Sequence, residues 1–276
     1  MKKSAAILVA VPVLLGAGYF IVPKANPERF LLTGSSTIAP ILQLVAEDLH
    51  AADPGLVIDV ETGGSSRGIQ DAQAGQCDVG MASRDLKPEE KAGLDARLIA
   101  YDGVALIVNR ENPIAGLDHQ QVIDIYTGVI GDWKELGAGE GEIHVVNKAE
   151  GRATLTVFLE HFKLKSSAIQ ADAVIGDNAQ GVRMVAGNPD AIAYVSIGEA
   201  LSAVERGEAI RLIALDGIEP TKLSVADGSY PLRRNLYLLF PGAPDASGER
   251  ILAHLASARG REILTQLGFT PTDIAE

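Results

Sequence analysis

Short runs of β-type apolar residues alternate along the chain with longer stretches whose apolar positions recur every three or four residues. Phe30-Leu31-Leu32 reads as a strand that ends at a Gly-Ser-Ser-Thr turn, and Ile38 to His50 follows at helical spacing. Leu56 to Val60 alternates as a strand, and Gly63-Gly64-Ser65-Ser66 opens a second helix that runs through Ala74. Asp78 to Ala82 reads as a short strand and Ala105 to Val108 as a longer one. A second unit starts near Asn109, with a helix over His119 to Tyr126, a strand over Ile143 to Val146 and a helix over Thr154 to His161. Ile192 to Val195, Ile210 to Leu215 and Leu236 to Phe240 read as strands, and Glu249 to Leu267 as a terminal helix. This order predicts an α/β fold with mainly parallel sheets. No repeat of solenoid period interrupts it.

The first residues break the pattern. Lys2 and Lys3 precede an apolar run from Ala5 to Val22, the form of a secretory signal peptide and close to the shortest span of a membrane helix. Residues 1–25 therefore read as a signal peptide or an uncleaved N-terminal anchor, and the rest of the chain as exported to the periplasm or another extracytoplasmic space. The 276 residues are enough for two medium domains. Cys77 is the only cysteine, so no intramolecular disulfide forms and no cysteine cluster holds a metal. The net charge of -12 argues against nucleic acid as a partner. It says less about a small anion, which local N–H groups and hydroxyls hold whatever the distant surface carries.

Three segments share one design, a strand followed by a turn rich in Gly, Ser or Thr and then a helix. They are Gly34-Ser35-Ser36-Thr37, Gly64-Ser65-Ser66-Arg67-Gly68 and Glu150-Gly151-Arg152-Ala153-Thr154. A helix start leaves backbone N–H groups unpaired and carries a partial positive charge, while hydroxyls add neutral donors and glycine allows close approach. The competing explanation is ordinary N-capping by Ser and Thr. The second segment also fits Gly-x-Ser-x-Gly, the elbow of serine hydrolases, with Ser66 as the nucleophile. His144, His161 and His254 stand far enough along the chain to serve it, but Glu61 to Gly63 lengthen a turn that should be sharp. No HExxH-like pairing supports a metal site, and no cofactor is expected.

At these segments the chain resembles a known family. Gly34-Ser-Ser-Thr-Ile-Ala-Pro40, Gly63-Gly-Ser-Ser-Arg-Gly68 and Asp78-Val-Gly-Met-Ala-Ser-Arg84 are similar to motifs of the phosphate-binding proteins of ABC importers. Asn112-Pro113, Ile125-Tyr126-Thr127-Gly128, Asp132-Trp133-Lys134-Glu135-Leu136-Gly137, Ala191-Ile-Ala-Tyr-Val195, Tyr230-Pro-Leu-Arg233 and Gly268-Phe269-Thr270-Pro271 continue the series in order. The resemblance implies a two-lobed type II periplasmic-binding-protein fold with a hinge cleft. Residues 29–108 and 229–276 would form a discontinuous first lobe and 109–228 the second. The ligand would be a small oxyanion, phosphate first, captured for an inner-membrane ABC permease, and the protein would not be an enzyme. By position, Ser36, Thr37, Ser65, Ser66 and Ser83 would be donors from the first lobe, and Lys148, Arg152 and Thr154 would come from the second.

Two departures bear on the ligand. Arg84 stands where phosphate-selective members of the family often carry an aspartate that accepts the ligand's proton, and an arginine there rewards negative charge instead. Arg84 either faces the cleft or turns outward to pair with Asp85 or Glu89. Gly151-Arg152-Ala153-Thr154 replaces a Gly-Ser-Gly-Thr run, losing one hydroxyl and gaining a guanidinium. Another ligand on the same fold (a sulfate-like ion, an organophosphate or an apolar molecule), an anchored sensor and a secreted serine hydrolase are the alternatives.

Overall fold

A computed structural model of the chain describes residues 28–274. The basic and apolar segment over residues 1–25, read as a signal or anchor, lies outside the described residues.

The first lobe begins with β1 (Glu28–Gly34), α1 (Ala39–Ala52), β2 (Leu56–Thr62), α2 (Ser65–Gln73) and β3 (Val79–Ala82), followed by the long strand β4 (Leu94–Asn109). The second lobe adds β5 (Gly116–Leu117), α3 (His119–Tyr126), β6 (His144–Lys148), α4 (Ala153–Phe162), β7 (Ala173–Ile175) and α5 (Asn178–Ala186). It continues through β8 (Ala191–Ser196), α6 (Ile197–Glu205), β9 (Ile210–Leu212), β10 (Ala214–Leu215) and α7 (Lys222–Ala226). The chain then returns through β11 (Arg233–Pro241), α8 (Ala246–Ala256), α9 (Ala258–Gln266) and β12 (Thr270–Pro271).

β2, β1 and β3 pair in parallel on one side, and β6 pairs in parallel with both β7 and β8 on the other. The antiparallel pairs are those that involve the two crossing strands. β11 lies antiparallel to β3 and β4, and β4 lies antiparallel to β8, β9 and β12. One continuous sheet order, β2-β1-β3-β11-β4-β8-β6-β7, results.

The buried side chains form four clusters, and the two largest separate along the same line. Phe30, Leu32, Ile41, Ile99, Leu238, Ile251 and Leu264 pack in the first. Leu106, Tyr126, Trp133, Phe158, Tyr194 and Leu232 pack in the second, where Phe158 stacks on Tyr194 with ring centroids 4.1 Å apart. Membership changes between Ala100 and Val104 and again between Leu232 and Leu236, within or beside the crossing strands. β4 begins well before the apolar run at Ala105, because its first half pairs with β11 and carries intermediate and polar positions. The terminal helix is two, broken at Ser257, whose extended backbone and side chain cap α9 by accepting from Gly260 N.

Parallel strands place their carboxyl ends, and the helix starts that follow, along one edge. In both lobes that edge faces the cleft.

Candidate functional site

The chain leaving β1 turns at Ser35, whose N–H donates to Met81 O on β3 at 2.9 Å. Ser35 O then accepts from Ile38 and Ala39, so α1 starts directly over that strand end. After β2, Gly63 and Gly64 both donate their N–H groups to Gly34 O, which seats the start of α2 beside the start of α1. Gly64 needs glycine on two counts. Its φ is 96°, and a Cβ there would lie 2.6 Å from Gly151 O of the other lobe. Gly68, the last glycine of the elbow-like pattern, serves packing, since a Cβ would meet Thr33 O at 2.6 Å. The spacing of that pattern is thus set by how α2 lies on β1 and β3.

From the second lobe, the turn after β6 brings Gly151 and Arg152 to the start of α4, and Gly151 O accepts from Ser66 N at 3.2 Å across the cleft. Ser36, Thr37, Ser65, Ser83, Arg152 and Thr154 line one small cavity with Ser35, Gly64, Ala153 and Gly176. The cavity has a volume of ≈ 10 Å³, far below the roughly 300 to 1,000 Å³ typical of drug-sized ligands. No carboxylate lines it among the described residues.

The hydroxyls here are not helix caps. α3, α7, α8 and α9 start on Asp118, Thr221, Asp245 and Ser257, each accepting from an N–H of its own first turn. α1, α2 and α4 have no side-chain cap at their N-cap residues. Three helix starts therefore converge on one cavity with their positive ends unneutralised. α5 and α6 also lack a side-chain bond at their N-caps, Asp177 and Ser196, but only α1, α2 and α4 bring their starts to this cavity through Thr37, Ser65 and Thr154.

Behind the hydroxyls sits a buried ion pair that sequence reasoning missed. Arg234 on β11 stands directly opposite Asp102 on β4, and the two side chains are 1% and 0% exposed. Arg234 Nε and Nη2 donate to Asp102 Oδ2 at 2.9 and 2.7 Å. The same guanidinium donates through Nη2 to Thr37 Oγ1 at 3.0 Å and through Nη1 to Thr154 Oγ1 at 3.1 Å. Asn178 Nδ2 gives Thr37 Oγ1 a second donor at 3.2 Å. A hydroxyl that accepts from cations and amides is left to donate its own proton, and both threonines line the cavity. Arg234 thus bridges the lobes and orients one donor from each. Asp102 also accepts from Ser196 Oγ at 2.8 Å, so both charges are well supplied with hydrogen bonds, as a buried pair requires. The motif at Tyr230 stops one residue short of Arg234. Alternation along the strand sends Arg233 to the opposite face, where its guanidinium lies 3.6 Å from the centroid of the Tyr101 ring.

On the first-lobe side, Ser35 Oγ donates to Ser83 Oγ at 2.9 Å and accepts from Thr37 N at 3.2 Å, while Ser65 Oγ accepts from Ser83 N at 3.0 Å. Arg152 reaches the cavity rim and pairs with Asp177 at 2.9 Å.

Three expected ligand residues stand apart from the lining. Arg84 is a correction: its Nη1 and Nη2 donate to the two carboxylate oxygens of Glu90 at 2.7 and 2.8 Å, and Nη1 also to Asp85 O. The guanidinium is buried against that carboxylate, which it holds below its ordinary range, and not offered to the cavity. Its partner is Glu90, neither Asp85's side chain nor Glu89. Ser66 stands at the mouth of the cleft, facing Gly151. Lys148 lies one layer back, its Nζ donating to Asn178 Oδ1 at 3.2 Å. Burial, then the nearby Arg234 charge, pulls its ammonium down to about 7. No histidine hydrogen-bonds Ser66 among the described residues; His144, His161 and His254 lie against Asp172, His119 and Asp48.

Two lobes that present uncapped helix starts and oriented hydroxyls to a small cavity define a two-lobed anion-binding protein. The chain belongs to the PBP superfamily domain family, whose model matches residues 22–258. It is 32% identical to a solved structure from Clostridium perfringens, described as a phosphate ABC transporter substrate-binding protein with bound phosphate. That match covers 89% of this chain and 100% of the other, with a TM-score of 0.81. An ABC-type phosphate transport receptor from Vibrio cholerae is 26% identical, covers 88% and 100% of the two chains and gives 0.71. The phosphate-binding protein PstS of Bacillus subtilis is 27% identical over 247 residues, 87% of this chain and 79% of that one. These relatives are solute-binding proteins, not enzymes, and the elbow reading of Ser66 falls with them.

Proposed function

We propose that this chain captures phosphate, or a closely related tetrahedral oxyanion, outside the cytoplasm and presents it to a membrane-embedded ABC permease. One observation carries the proposal. Three helix starts without side-chain caps, those of α1, α2 and α4, converge on a single cavity lined by Ser36, Thr37, Ser65, Ser83 and Thr154. A four-oxygen anion would accept from helix-start N–H groups and hydroxyls that converge from both lobes. Arg152 adds a guanidinium at the rim, and the buried Arg234–Asp102 pair holds Thr37 and Thr154 as donors.

Closure is the signal that the permease reads. β4 and β11 are the two crossings between the lobes and act as the hinge, and residues 29–100 with 236–274 move against residues 104–232. The contacts from Arg234 and Asn178 to Thr37, and from Ser66 to Gly151, belong to the closed form. Export by the Lys2-Lys3 and Ala5 to Val22 segment, cleaved or kept as an anchor, fits the extracytoplasmic role of the relatives.

The test is a thermal-shift series with phosphate, arsenate and sulfate at millimolar concentration. A ligand that binds only the folded state raises the melting temperature. Phosphate and arsenate are expected to raise it. With no carboxylate in the lining to test for a ligand proton, sulfate is expected to follow. No shift with any of the three would sink the oxyanion assignment.

A further inference from the structure

We propose a second site in this molecule, a transition-metal dication site formed by His119, His161 and Asp216, with Zn²⁺ as its best-suited occupant. The three residues are far apart in sequence, so no spacing motif announces them. The fold brings one potential ligand atom of each to within 4.8 Å of the others. His119 opens α3, His161 lies in the last turn of α4, and Asp216 follows β10. Thr154 sits in the first turn of α4, so the cluster is roughly 10 Å along the helix axis from the anion cavity.

Three observations point to a cation. His161 Nε2 is buried and has no hydrogen-bond partner among the described residues, a costly state for an imidazole nitrogen unless something else occupies it. The His119 backbone N–H donates to Asp216 Oδ1 at 2.8 Å, which fixes the carboxylate beside the two rings and leaves its other oxygen to bind. The His119 and His161 rings meet edge to face, centroids 5.3 Å apart, and Phe162 packs against both at 4.9 and 4.7 Å. The imidazoles are thereby held on one side of the exposed carboxylate.

The donor set is two imidazoles and one carboxylate, which suits Zn²⁺ and its neighbours more than Ca²⁺ or Mg²⁺. Tetrahedral coordination at about 2.0 Å puts ligand atoms some 3.3 Å apart, so modest side-chain rotations close the site. Asp216 faces solvent, leaving the fourth position to water.

The test is zinc binding to the full chain in chelator-buffered Zn²⁺, with phosphate binding measured in parallel. The wild type is expected to bind one zinc per chain. Asp216→Asn keeps the backbone acceptor and tolerates the left-handed φ of 50°, and it is expected to weaken zinc binding by at least about tenfold. His161→Gln should do the same, whereas His144→Ala should leave zinc binding unchanged, and none of the three should alter phosphate affinity. Absence of zinc binding by the wild type would overturn the proposal, as would equal binding by the wild type and the Asp216→Asn chain.

Discussion

Thr37 and Thr154 do the same work from opposite lobes. Each accepts from Arg234, and each is thereby left to donate. Thr154→Val keeps the shape and removes the hydroxyl, and it is expected to weaken anion binding by about 1–3 kcal/mol. Titration calorimetry checks this, and unchanged affinity would remove Thr154 from the site. Arg84 separates two readings of one residue. Because its Nη1 and Nη2 are both held by Glu90, Arg84→Met is expected to lower the melting temperature while leaving the phosphate-to-sulfate affinity ratio alone. A changed ratio with little loss of stability would return Arg84 to the cleft. The helix-start hydroxyls were legible in the sequence because their chemistry is local: a turn, a glycine and a hydroxyl within four residues. Arg234 and Asp102 were not. Their pairing is set by the register of two strands 132 residues apart, and neither residue sits in a distinctive local pattern.

Among the elements, the start of α2 decides how closely the lobes approach. Gly64→Ala places a methyl group 2.6 Å from Gly151 O, while Gly151→Ala meets only Ser66 Cβ at 3.8 Å. Both substitutions strain a backbone with positive φ, so their difference isolates the clash across the cleft. Gly64→Ala is therefore expected to lose more anion affinity than Gly151→Ala, and to hold a larger radius of gyration in saturating phosphate by X-ray scattering. Equal losses would mean that the contact plays no part in closure. Most elements followed from apolar spacing. The helix α3, for example, spans the residues that periodicity assigns to it. The exceptions have physical reasons. β4 extends past its apolar run because an amphipathic half pairs with β11, and α8 and α9 share one apolar stripe that conceals the cap at Ser257. The antiparallel direction of the crossing strands leaves no trace in the spacing of residues along either one.

The whole molecule carries -12, and the proposed anion site relies on oriented dipoles and a neutralised arginine rather than on net charge. Lys148 gives that arrangement a pH dependence. Its folded pKa of about 7 lies below the ordinary 10.5, chiefly through burial, with Arg234 and Arg152 also opposing its charge and Asp177 and Glu199 favouring it. Between those values the unfolded chain binds a proton that the folded chain does not, so stability rises with pH through that window. Lys148→Met abolishes this slope. The melting-temperature gain of the variant over the parent is expected to be largest near about pH 6 and to shrink towards about pH 9. A gap that does not vary with pH would show that Lys148 does not titrate there. The central claim, a two-lobed protein that closes on a small oxyanion, is tested most directly by titrating the purified chain with phosphate in a calorimeter. One phosphate per chain, bound with affinity lost in Thr154→Val, is the predicted result. No heat and no saturation with phosphate, arsenate or sulfate would contradict it.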